Sequence, residues 1–130
     1  MKKIFYLSVL LFAVNIFADL LECKYVHETI TGEKGDSNFK TESYKVNEPH
    51  NNFNLLFKDK HIYMITKTDK QELIFISKGM GTNYFLEQTN GGNINLYTLF
   101  DDGTLTISKS TDIMGKAKIN VQSILKCTDK

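Results

Sequence analysis

The sequence has no arginine and no tryptophan, one proline and two cysteines in 130 residues. Without arginine the chain lacks the planar guanidinium that grips phosphate or carboxylate with two parallel hydrogen bonds. Its formal net charge is +1, so the basic excess of a nucleic-acid binder is missing and nucleic acid is not an expected partner. Cys23 and Cys127 are far apart, so no C-x-x-C redox motif exists. G-x-S-x-G, H-E-x-x-H, Walker A and dinucleotide-binding patterns are all absent. Gly79-Met80-Gly81 lacks the third glycine and the following helix. His27, His50 and His61 have no metal-ligand spacing. No catalytic residue, metal ligand or cofactor is therefore assigned, and a non-enzymatic protein is expected.

What is present begins with an export signal. Lys2 and Lys3 precede an apolar run from Ile4 to Val14, and Ala18 is small enough to precede a signal-peptidase cut. The run is short for a transmembrane helix, which needs about 20 apolar residues. Residues 1–18 are read as a signal peptide and residues 19–130 as a single domain that does not span the membrane after cleavage. Glu22, before Cys23, is neither small nor neutral, which argues against a lipoprotein cysteine. The expected location is the periplasm, or the outside of the cell.

Export places the two cysteines where disulfides persist. With only two, one intramolecular pairing is possible, Cys23–Cys127, and it would tie the start of the domain to its end.

Between them the chain alternates apolar and polar residues with turn signals about every ten residues, the pattern of an all-β fold. Asn90-Gly91-Gly92-Asn93 and Asp101-Asp102-Gly103 are hairpin turns, the latter requiring a positive φ at Gly103. Ala117 to Cys127 places Ile119, Val121, Leu125 and Cys127 on one face. Glu72 to Lys78 is apolar on both faces, as in a central strand or one with core on one side and a partner on the other. Ser110 to Lys116 reads as a loop or a short helical turn. Tight sequential turns predict an antiparallel meander, and closing it into a barrel removes its exposed edges. A two-sheet sandwich is the alternative.

Tyr25, Tyr44, Tyr63, Tyr84 and Tyr97 fall on different predicted strands and form a candidate binding surface, since tyrosine joins an apolar ring to a polar tip. Lys58, Lys60, Lys67, Lys70 and Lys78 are read as edge lysines that discourage strand-to-strand aggregation.

A cysteine near each end, together with the strand density, resembles the periplasmic inhibitors of c-type lysozyme, which are small secreted β-barrels. That likeness implies a barrel and an inhibitory role. It carries over no loop residues, because the family's inhibitory motif cannot be placed on this sequence. Lipocalins are also meander barrels, but their G-x-W signature has no counterpart in a chain without tryptophan. The expected role is a binding, interaction or inhibitor module acting on a protein or another component of the bacterial cell envelope. The alternative is a lipocalin-like carrier of a small apolar ligand.

Overall fold

The computed structural model describes residues 19–33, 39–46, 52–113 and 117–130. The proposed signal segment, His50 and Lys116 lie outside the described residues. Nine strands follow in order: Asp19–Glu33 (β1), Phe39–Lys45 (β2), Phe53–Lys58 (β3), His61–Ile65 (β4), Lys70–Gly79 (β5), Thr82–Gln88 (β6), Ile94–Phe100 (β7), Thr104–Ile113 (β8) and Ala117–Asp129 (β9). All pairings are antiparallel. From β3 to β9 each strand pairs with the next, and β9 returns to β1. The result is the all-β fold read from the alternation: an eight-stranded closed barrel, with β2 as an extra strand.

β1 makes this arrangement possible because it is long. On one edge Asp19–Cys23 pairs with β3, and His27–Glu33 pairs with β2. Its other edge pairs with β9 from Leu21 to Gly32. Where the chain passes from β2 to β3, the Asn52 side chain accepts a hydrogen bond from the Tyr25 backbone N–H at 3.0 Å. The Val46 N–H donates to the Val26 carbonyl at 3.1 Å. These two bonds bridge the stretch of β1 between its two partners.

The core is the barrel interior. Leu55, Phe85, Leu105, Ile107 and Leu125 are fully buried, and Phe53, Ile62, Leu73 and Tyr97 are nearly so. Aromatic rings fill its centre. Phe85 stacks on Tyr97 with centroids 5.4 Å apart, while Phe53 meets Tyr97 edge-on at 6.4 Å. Such offset and edge-to-face geometries suit the ring quadrupoles. In β9, Ser123, Leu125 and Cys127 are buried and Lys118, Gln122 and Lys126 are exposed, as the alternation predicts. Ile124 breaks the pattern and lies outside, 41% exposed.

Cys23 and Cys127 are directly opposed across β1 and β9 and form the disulfide. Their Cα atoms are 4.0 Å apart. The Cys127 N–H turns away from β1 and donates to the Gly103 carbonyl at 2.8 Å. The cysteines therefore form a non-hydrogen-bonded pair, the site in an antiparallel ladder where facing side chains come closest.

Two local features differ from the sequence reading. β8 continues to Ile113, where a loop or helical turn was expected from Ser110. The reason is pairing: Ser110 opposes Asn120 and Ile113 opposes Ala117, so β9 extends the ladder beyond the barrel proper. The β3–β4 turn contains no glycine, yet Asp59 and Lys60 have φ values of 53° and 78°. Positive φ at both central residues is what a two-residue hairpin needs to match the strand twist, and here non-glycine residues adopt it.

Candidate functional site

Two β-bulges decide which side chains face inward. In β1 the register shifts between Tyr25 and His27, leaving Val26 as the extra residue. Cys23 and Tyr25 face inward before it, and Glu28 and Ile30 after it. In β5 the register shifts between Phe75 and Ser77 around Ile76. A bulge bends its strand and re-aims the side chains that follow.

The candidate tyrosines divide by this geometry. Tyr25 and Tyr97 point into the barrel. Tyr44 faces Glu28 across the β1–β2 pair and donates to its Oε1 at 2.8 Å. Tyr63 and Tyr84 lie outside the barrel on β4 and β6. The Lys70 ammonium sits 4.5 Å from the Tyr63 ring centroid, a cation–π contact. The barrel thus does not gather the tyrosines on one surface. The lysines are also divided. Lys58 and Lys60 flank the β3–β4 turn, whereas Lys67 and Lys70 flank the β4–β5 turn at the other end of the barrel.

Inside the barrel, toward the end that carries the β4–β5 and β6–β7 turns, is a polar group that the sequence reading missed. The Tyr97 hydroxyl donates to Glu87 Oε1 at 2.7 Å, and the Asn95 amide donates to the same oxygen at 2.9 Å. Ser123, which is buried, donates to Glu28 Oε2 at 2.9 Å. Tyr25 lies between these carboxylates. Burial, and then the Glu28 and Glu87 charges, push its phenol up to about 12. Tyr97 is raised further by burial, then by the Glu87 charge and their hydrogen bond. The available signal was weak: Glu28 and Glu87 sit in strands at inward register positions, but the Val26 bulge hides the register of Glu28.

This group makes stability pH-dependent, and the direction follows from the raised values. In the unfolded chain both phenols ionise near the ordinary value of 10, while in the folded protein Tyr25 holds its proton to about 12. The stabilisation is complete below pH 10 and is lost as pH rises toward 12, because only the unfolded state releases protons across that interval. Urea midpoints should fall across this window. Tyr25→Phe combined with Tyr97→Phe should flatten the fall. An equally steep fall in the double variant would place its origin elsewhere.

The outside of the barrel presents two different faces. On β5, β6 and β7, Ile74, Leu86 and Leu96 are cross-strand neighbours in one row. Ile74 is 53% and Leu96 40% exposed, with Ile94 exposed beside them. This is the second apolar face that Glu72 to Lys78 suggested. On β2, β1, β9 and β8 the same row continues as Ser43, Thr29, Gln122 and Ser108. A parallel row holds Thr41, Thr31, Asn120 and Ser110. Neither of these polar rows contains a charged residue.

The two histidines among the described residues lie on different strands, β1 and β4. His61 pairs with Glu72 on the exposed surface, and His27 lies beside Ile124 on the outer face. No group of three or more His, Cys, Asp or Glu among the described residues has a metal-holding arrangement. No helix among them is long and apolar enough to cross a membrane. Comparison with protein-family models, with curated proteins and with solved structures finds no match to this chain.

Proposed function

We propose that this is an exported, non-enzymatic interaction module of the bacterial cell envelope, which docks a protein partner through the outer face of β5–β7. The supporting observation is the contrast between the inside and the outside of the barrel. Phe53, Phe85, Tyr97 and the aliphatic core occupy the interior, where a lipocalin-like carrier would need space for its ligand. Outside, Ile74, Leu86 and Leu96 stand side by side, Ile74 and Leu96 exposed and Leu86 half-buried between them. A contiguous exposed apolar row is the usual mark of an interaction surface, whereas isolated exposed apolar residues need no explanation. An inhibitor of another enzyme is one form of this role.

The test is capture of partners from an envelope extract by the wild-type protein and by Leu96→Asp. The variant adds a charge at an exposed position, so it should fold normally and lose the captured partner. If both proteins capture the same partner, this face is not the docking surface. If a fatty-acid probe binds with micromolar affinity and shifts the Phe85 and Tyr97 resonances, the carrier reading replaces this one.

A further inference from the structure

We propose a second site, at the other end of the row from Ile74: a cleft at the β1–β2 end of the sheet that binds a neutral glycan. The cleft has a volume of roughly 410 Å³; Thr31, Phe39, Ser110, Lys118 and Asn120 line it together with Asn93, Thr111 and Ile119 from the rim of the barrel. Phe39 is 61% exposed. An aromatic ring held in water beside hydroxyls and amides offers an apolar plate for the C–H face of a sugar ring and polar groups for its hydroxyls.

The charge pattern selects the ligand class. Among the described residues, the formal charge lining the cleft is the Lys118 ammonium, which pairs with Glu33 at 3.3 Å. Among the described lining residues, an anionic polymer would find no unpaired cation and a cationic one no carboxylate. The polar rows leading from the cleft are uncharged as well. Protein interfaces concentrate their energy in buried aromatic and arginine anchors, and these rows supply none.

The side chains are held in place yet keep hydrogen-bonding capacity. Asn120 donates to Ser110 Oγ at 2.9 Å, and Gln122 donates to Ser108 Oγ at 2.9 Å and to Asn120 Oδ1 at 3.2 Å. Thr31 and Thr41 share a hydrogen bond of 3.0 Å. Each hydroxyl has one donor and two acceptor positions, so one internal bond leaves others for a ligand. Adjacent strands space these groups about 4.8 Å apart in rows, which suits an extended chain of linked sugar rings more than a single compact molecule.

The test titrates the purified protein with chitotriose, cellotriose and maltotriose, followed by amide chemical shifts. At least one trisaccharide should bind, shifting Thr31, Phe39, Ser110 and Asn120. Phe39→Ala should weaken that binding at least tenfold. Ser110→Lys, which places a cation in the cleft, should weaken it comparably, so the conclusion does not depend on a single variant. Ile74→Asp, on β5 at the far end of the row, should leave it unchanged, which separates this site from the protein-docking face. The proposal is overturned if none of the three shifts these residues at millimolar concentration, or if binding survives both cleft substitutions in folded protein.

Discussion

Replacing both cysteines, Cys23→Ala with Cys127→Ala, is expected to lower stability by about 2–5 kcal/mol while leaving the strand content unchanged. The disulfide joins residues 104 positions apart. In the chain-entropy account, a closed loop of about 100 residues raises the free energy of the unfolded chain by about 4.7 kcal/mol, and measured effects often fall below that value. The double alanine variant is the informative one. Cys23 is fully buried and Cys127 nearly so, so Cys23→Ser would add a buried hydroxyl, with its own penalty of about 1–3 kcal/mol if unsatisfied. Closure does not depend on the bond alone, because β1 and β9 remain paired from Leu21 to Gly32. The denaturant midpoint should therefore fall, while the far-ultraviolet dichroism of the folded baseline stays that of a β protein. An unchanged midpoint would mean that the unfolded chain already keeps its ends together. Loss of the β spectrum in water would mean that the barrel needs the crosslink to close.

That the first and last strands meet was readable from two residues, since a cysteine count of two leaves one intramolecular pairing. The all-β class followed from turn spacing, the choice of barrel over sandwich only from the pairing of β1 with β9, and the inward face of β9 from strict alternation. The inward position of Glu28 was not readable. Alternation assigns faces only while register is continuous, and the Val26 and Ile76 bulges each add one residue that no local pattern announces. Tyr25 and Glu28, an odd number of residues apart, would point to opposite faces of a regular strand, yet both face inward. The extension of β8 was also hidden. Ser110 and Thr111 read as loop residues until Asn120 and Ile119 are placed opposite them. The apolar row of Ile74, Leu86 and Leu96 was half visible. The two-faced pattern of Glu72 to Lys78 pointed to a partner, but the neighbours that complete the row come from the pairing of three strands. The glycan cleft had no sequence signal, because Phe39, Asn93 and Asn120 belong to strands and a turn distant along the chain.

Gly103→Ala should be nearly as damaging as removal of the disulfide, with the melting temperature falling by more than about 10 °C. Two effects combine. Gly103 has a φ of 90°, and a left-handed backbone costs a residue with a Cβ about 1–2 kcal/mol. A Cβ there would also lie 2.5 Å from the Cys127 carbonyl oxygen. That oxygen cannot retreat easily, since the Cys127 N–H is bonded to the Gly103 carbonyl at 2.8 Å and its side chain is tied to Cys23. The turn is fixed from its other side as well. The Gly103 N–H donates to the Phe100 carbonyl at 3.0 Å, and the Thr104 N–H donates to Asp102 Oδ1 at 2.8 Å. Gly103→Asn separates the two effects, because asparagine tolerates positive φ but still carries a Cβ. If the steric contact dominates, Asn and Ala should be about equally destabilising. If φ strain dominates, Asn should recover much of the loss. Gly103→Val should be worse than either, since its branched Cβ adds bulk at the same contact. In the background lacking both cysteines, β9 is freer to shift and Gly103→Ala should cost measurably less. Strict additivity between the two sites would show that the disulfide does not hold the Cys127 carbonyl against the turn.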